Sequence, residues 1–222
     1  MRLRGVRCVL FDLDGTLLDS ATDLGQAADD MRRARGLPSL AGDLYRSSAG
    51  SGARGMLKVA FGLAPGDAGY DGLRDEFLLR YEQVMMQTTR PFQGVEPLLA
   101  ALRERGLDWG VVTNKAARFT LPLTASLPLF ASARVVVCGD TTPHLKPHPA
   151  SLIEAMRQAG TAPAHCIYVG DDERDMQAGR AAGLRTVAAR YGYLGAQARV
   201  DAWPADAVID QPLQLLNWLE LT

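Results

Sequence analysis

Cysteine and histidine are scarce in these 222 residues, with three of each, and the formal charge is nearly balanced at −1. Cys8, Cys138 and Cys166 are scattered without metal-ligand spacing. Each sits in or beside an apolar run, so small buried hydrophobes are expected, which suits a reducing compartment. The 24 basic side chains are matched by 25 acidic ones. That balance excludes the broad positive field that nucleic acid or an anionic lipid surface demands. No apolar stretch approaches the length needed to span a bilayer. The run at 6–11 is interrupted by Arg7 and stopped by Asp12, too short for the core of a secretory leader. A cytoplasmic chain with no nucleic-acid or membrane partner is expected, acting as a monomer or homodimer. Internal repeats and low-complexity tracts are also missing.

What is present is an apolar fraction of 47%, enough for a buried core. Short apolar runs at 7–11, 108–112, 135–138, 166–169, 186–189 and 207–209 read as buried strands. Between them, 94–105, 116–127, 149–159 and 173–182 are each long enough for a crossover helix. Continuous apolar strands alternating with helices predict an α/β fold: a Rossmann-like, doubly wound parallel sheet covered on both faces. Residues 19–89 break that rhythm with helical stretches at 23–35, 55–61 and 73–86 and no strand pattern. The expected organisation is a core of 1–18 and 90–222 with an α-helical cap domain inserted at 19–89.

Open α/β sheets bind ligands at the carboxyl ends of their strands. Four such ends or following loops carry polar groups here: Asp12 and Asp14, Thr113 and Asn114, Lys146, and Asp171 with Asp175. Asp12 and Asp14 would repel each other unless a cation were bound. Gly15 allows a turn that brings the Asp14 carboxyl over the same space.

Phe11-Asp12-Leu13-Asp14-Gly15-Thr16-Leu17-Leu18-Asp19-Ser20 resembles the first motif of the haloacid dehalogenase-like hydrolases. Thr113-Asn114-Lys115 resembles the second, Lys146 in Leu145-Lys146-Pro147 the third, and Val169-Gly170-Asp171-Asp172-Glu173-Arg174-Asp175 the fourth. The insert is similar to the helical cap of the phosphoglycolate phosphatase and β-phosphoglucomutase branch. The resemblance implies a Mg²⁺-dependent phosphatase acting on a small phosphorylated metabolite. Asp12 is then the nucleophile that forms an aspartyl-phosphate, and Asp14 the general acid and base. Thr113, Asn114 and Lys146 bind the phosphoryl oxygens. Mg²⁺ is held by the carboxylates of Asp12 and Asp171 and the main-chain carbonyl of Asp14. Asp175 lies behind them. Position 172 is Asp where this branch often has Ser, so Asp172 is expected near the metal site without ligating it.

The small-residue stretch at 47–54 is expected to form a specificity loop, with Gly52 and Arg54 meeting a carboxylate of the substrate. Phosphoglycolate is the leading candidate. N-acetylmuramic acid 6-phosphate, which also carries a carboxylate, or another sugar phosphate is the alternative. A β-phosphoglucomutase-type mutase or a non-catalytic phospho-ligand binder are the remaining readings. His144 and His148 flank Lys146, but Pro147 and Pro149 argue against a helical metal pair there. The stretch 190–193 reads as a packed loop beside the cleft.

Overall fold

The computed structural model describes residues 3–195 and 198–220. Strand β1 (Cys8–Phe11) is followed by the two-residue strand β2 (Leu18–Asp19). Helices α1 (Ala21–Arg33), α2 (Gly42–Arg46), α3 (Gly52–Phe61) and α4 (Tyr70–Val84) come next, and the chain returns through β3 (Arg90–Pro91). Then come α5 (Val95–Glu104), β4 (Asp108–Val112), α6 (Ala117–Ser126), β5 (Val135–Val137) and α7 (Ala150–Ala159). The remaining elements are β6 (Cys166–Gly170), α8 (Glu173–Ala181), β7 (Arg185–Ala189), β8 (Ala207–Ile209) and α9 (Leu215–Trp218).

Six strands form one sheet in the order β5-β4-β1-β6-β7-β8, and every pairing is parallel. β1 lies in the middle, with Phe11 opposite Val111 on one side and Val169 on the other. The chain winds outward from it in both directions, so the carboxyl ends of β1, β4 and β6 lie side by side at the switch point.

The two-residue period of a strand explains the layering. Val9, Phe11, Trp109, Val111, Ile167 and Val169 share one hydrophobic cluster with Leu98 and Leu102 of α5 and Leu215 of α9. Cys8, Leu10, Val112 and Tyr168 belong to another, with Leu152 and Met156 of α7 and Ala178 of α8. Burial on both faces is why the strands read as unbroken apolar runs.

Helices α1 to α4 share a third cluster. Leu24, Ala27, Ala28 and Met31 form one face of α1 at helical spacing, packed with Tyr45, Met56, Leu57, Phe77 and Tyr81. Phe119 of α6 and Tyr193 after β7 enter the same cluster, which seats the helices over the carboxyl end of the sheet.

The two chain crossings into and out of this segment run antiparallel, with Leu18 opposite Pro91 and Asp19 opposite Arg90. Asp23 binds them together. Its buried carboxylate accepts from the N–H and hydroxyl of Thr88 (3.0 and 2.6 Å) and from the N–H and hydroxyl of Thr89 (3.0 and 2.7 Å). Asp23→Ala leaves the N–H and hydroxyl of buried Thr89 without partners and removes the tie to Thr88, so it is expected to cost about 3 kcal/mol. That corresponds to a melting temperature lower by about 6–12 °C for a chain of this size, read by thermal denaturation.

Candidate active site

Asp12 stands immediately beyond β1, its N–H continuing the ladder to the carbonyl of Val169 (2.9 Å). Its side chain is 14% exposed, and Oδ1 lies 2.9 Å from Nζ of Lys146. That oxygen is buried, and among the described residues its charged neighbour is the Lys146 ammonium, set off the line of a good hydrogen bond. Burial pushes the Asp12 carboxyl up to about 7, against the pull of Lys146 and with the push of Asp175.

Lys146 is buried and reaches Asp175 Oδ1 (2.7 Å), the hydroxyl of Tyr168 (2.7 Å) and the carbonyl of Val112 (3.1 Å) besides Asp12. Burial opposes its charge, but Asp12 and Asp175 outweigh it and hold the ammonium above the usual lysine range. Asn114 fixes this lysine from behind. Its amide nitrogen donates to the Lys146 carbonyl (3.1 Å) and its Oδ1 accepts from the Lys146 N–H (2.9 Å). The side chain read from sequence as a substrate contact is thus committed to the lysine's main chain. Thr113 Oγ1 accepts from the N–H of Lys115 (3.1 Å), which leaves its hydroxyl hydrogen free to donate.

Asp171 is buried at the end of β6. It accepts from the hydroxyl of Thr16 (2.9 Å) and the N–H of Tyr193 (2.8 Å). Burial, then Asp12 and Asp175, push its carboxyl well above the ordinary range. Two glycines make room for it. A Cβ on Gly15, whose φ is +88°, would stand 2.1 Å from Asp171 Oδ2, and one on Gly192 would stand 2.3 Å from Asp171 Cβ.

One oxygen from each of Asp12, Asp171 and Asp175 lie within 4.8 Å of one another. Three carboxylates facing the ammonium of Lys146 leave net negative charge in a buried space. That all-oxygen donor set fits a hard divalent cation. Asp175 already has both oxygens engaged, Oδ1 by Lys146 and Oδ2 by the N–H of Asp172 (3.1 Å). Asp171 is also engaged on both oxygens, but by the neutral donors of Thr16 and Tyr193 rather than by an ammonium, so its charge is left for a cation. The Asp14 carboxylate lies outside this group, accepting from Ser20 Oγ (2.5 Å) and Lys115 Nζ (3.0 Å). Only its main-chain carbonyl is left for the ligand role the resemblance implies.

Asp172 caps α8 by accepting from the N–H of Arg174 (2.9 Å) and pairs with its guanidinium (2.8 Å), which holds its carboxyl low against burial. Arg174 also donates to the carbonyl of Gly50 (2.8 Å) and so ties the 47–54 stretch to the sheet domain.

These groups open into a cleft of about 550 Å³. Its apolar wall includes Leu24, Phe77, Leu78, Tyr81 and Phe119, and Gly52, Arg54 and Arg118 also line it. Arg54 has no ion-pair partner among the described residues and stands in the first turn of α3, which begins at Gly52. Arg118, over the ring of Phe119 at 4.4 Å, was not singled out from sequence. Its place three residues after Lys115 is no signal by itself. Tyr193 was read only as part of a packed loop, yet its hydroxyl accepts from the N–H of Ser20 (2.5 Å) and Ala21 (3.0 Å) while its own N–H holds Asp171. His148 Nδ1 accepts from the N–H of Ala150 (3.2 Å), a loop contact.

A parallel sheet with an aspartate at the tip of its central strand, faced by a lysine and two further aspartates, defines a class of carboxylate-centred hydrolases. The sequence pattern of haloacid dehalogenase-like hydrolases matches residues 9–189, and the chain belongs to that family. It is 41% identical to the N-acetylmuramic acid 6-phosphate phosphatase of Pseudomonas aeruginosa, over 99% of this chain and 97% of that protein. It is 42% identical to the phosphoglycolate phosphatase of Xanthomonas campestris pv. campestris, over 96% of each. A haloacid dehalogenase-like hydrolase from Streptococcus pneumoniae shares the fold, with a TM-score of 0.81 at 22% identity over 96% of this chain and 98% of that one.

Proposed function

We propose that this protein is a Mg²⁺-dependent phosphatase of small phosphomonoesters that works through a phosphorylated Asp12. The observation that carries the reading is the meeting of Asp12, Asp171 and Asp175 at the end of the sheet, one oxygen of each within 4.8 Å of the others, with the Lys146 ammonium 2.9 Å from Asp12. Asp12 attacks phosphorus, and the bond to the leaving oxygen breaks as Asp14 gives that oxygen a proton. Water then attacks the aspartyl-phosphate, giving its proton to Asp14, and Asp12 is freed. Lys146 and the Thr113 hydroxyl bear on the phosphoryl oxygens, where charge neutralisation supplies most of the catalysis. Asp12, Asp171 and the Asp14 carbonyl would hold the cation, which would supply positive charge to the phosphoryl group when bound. Residues 19–89 act as a cap that moves about the paired crossings at β2 and β3, shutting water out during the first step. The three buried, unbridged thiols suit a cytoplasmic location.

Phosphoglycolate is the substrate we place first, with Arg54 on its carboxylate. The cleft favours a second reading as well. At about 550 Å³, with an aromatic and aliphatic wall, it holds more than a two-carbon ester fills, which suits N-acetylmuramic acid 6-phosphate. Phosphate release from both esters and from a panel of sugar phosphates, with a parallel assay for isomerised sugar phosphate, tests the whole reading. No hydrolysis of any ester, or isomerisation without net release, would overturn it. Arg54→Ala is expected to raise KM for the carboxylate-bearing ester about 10- to 100-fold, the worth of a charge-assisted hydrogen bond, and to leave KM for p-nitrophenyl phosphate nearly unchanged.

A further inference from the structure

We infer that Lys115 is a positioning residue for Asp14, tied through Tyr81 to helix α4, so that the acid/base carboxylate is set in place only when the helical segment is seated on the sheet. The inference rests on the reading of Asp14 as acid and base. It concerns a lysine to which neither the motif resemblance nor the phosphate-binding geometry gives a task.

Lys115 is a strut fixed at both ends. Its N–H donates to Thr113 Oγ1 (3.1 Å), and its carbonyl accepts from the hydroxyl of Thr120 (3.1 Å) and the N–H of Gly139 (2.8 Å). From that anchored backbone the side chain runs inward, 8% exposed, and Nζ meets both carboxylate oxygens of Asp14 (3.0 and 3.3 Å). The same Nζ donates to the hydroxyl of Tyr81 (2.9 Å). Tyr81 is itself confined, stacked on Phe77 with ring centroids 6.2 Å apart and edge-on to Phe119 at 5.4 Å. A buried ammonium must find partners, and here they are one carboxylate of the sheet domain and one phenol of the helical segment. The second hold on Asp14 has the same origin, because Ser20 Oγ (2.5 Å) belongs to the chain crossing into that segment. Asp14 is therefore clasped from two sides by groups whose places depend on how helices α1 and α4 sit.

The chemistry shows what such a clasp does. In the first step the proton moves from Asp14 to the leaving oxygen while that oxygen's bond to phosphorus breaks and the Asp12 oxygen bonds to phosphorus. Held by donors on both oxygens, Asp14 stands here as the ionised base of the second step. It takes up a proton before the first step, and the negative charge that returns to it as that proton leaves is met by the Lys115 ammonium. In the second step the same carboxylate, still held, accepts the proton of the attacking water. A leaving group that departs readily as an anion, such as p-nitrophenolate, needs no proton in the first step. An alkoxide does. Since kcat/KM reports the steps through the first irreversible one, the contrast between the two esters isolates the placement of Asp14 from phosphate binding and from folding.

The experiment compares wild type, Lys115→Met and Tyr81→Phe on p-nitrophenyl phosphate and on two alkyl esters, phosphoglycolate and the carboxylate-free glucose 6-phosphate. A loss confined to the carboxylate-bearing ester marks a substrate contact and overturns the inference. Lys115→Met is expected to lower kcat/KM for the alkyl esters about 100-fold, the usual scale of general-acid catalysis, and for the aryl ester less than about threefold. Tyr81→Phe, which keeps the ring packing, is expected to show the same contrast at about tenfold. Equal losses on both kinds of ester, or no loss on either, would overturn the inference. If Lys115→Met fails to melt cooperatively, Tyr81→Phe carries the same contrast and decides. A wild type that releases no phosphate from any of the three esters overturns the phosphatase reading and this inference with it. An active wild type with a flat contrast overturns the inference alone.

Discussion

Asp12→Asn is expected to lower kcat by about four orders of magnitude or more on every phosphate ester the protein cleaves. The amide is nearly the same size as the carboxylate but is a poor nucleophile, and no neighbouring carboxylate can replace it. Asp171 is held by Thr16 and Tyr193, and Asp175 by Lys146 and the N–H of Asp172. The fold has little reason to notice the change. The main-chain bond of residue 12 to Val169 is unaffected, and Lys146 keeps Asp175 at 2.7 Å. Burial makes an ionised Asp12 costly, so the uncharged amide is expected to leave the melting temperature unchanged or raised. Loss of turnover with an intact melt assigns the defect to chemistry. Substantial phosphatase activity in this variant would falsify the nucleophile assignment.

The parts of this site legible in the sequence are those whose signal is local. A strand buried on both faces is a run of apolar residues, and the polar residue that ends it marks the sheet's carboxyl edge. Asp12, Thr113 and Asp171 were readable for that reason. Strands β2 and β3 were not, because two residues of backbone pairing between crossing segments leave no periodicity. Helix α2 has five residues and buries only Tyr45, too little for a pattern. The helices at 23–35, 55–61 and 73–86 were legible, though α1, α3 and α4 each begin two or three residues earlier. The contacts that complete the site span long separations. Lys115 reaches Asp14 across 101 residues, and Arg174 reaches Gly50 across 124. A lysine or arginine to which the motif around it assigns no task is indistinguishable in sequence from a solvated charge. Asp172 had its motif but not its purpose, which the capping of α8 and the pairing with Arg174 now supply.

Mg²⁺ is expected to change both activity and stability, and the stability effect has a pH dependence that identifies its site. Chelation with EDTA is expected to abolish phosphate release and Mg²⁺ to restore it. At 100 times its dissociation constant the ion contributes about 2.7 kcal/mol, which raises the melting temperature by about 5–10 °C in a chain of this length. The pH dependence follows from Asp12 and Asp171, whose carboxyls burial pushes upward, Asp12 from 3.8 to about 7. Without the ion, the folded chain keeps protons on these groups that the unfolded chain has already released. Their contribution to stability is full below 3.8 and is lost as the pH rises through about 7, where ionised carboxylates face one another in a buried space. The cation requires those same groups deprotonated, so it competes with protons at low pH and replaces their neutralising charge at high pH. The gain in melting temperature on adding Mg²⁺ should therefore be small near pH 5 and largest near pH 8, as measured by thermal denaturation across a pH series. In Asp12→Asn the gain should shrink at every pH, because one anionic donor is gone. A gain independent of pH, or undiminished by that substitution, would place the ion away from Asp12 and Asp171.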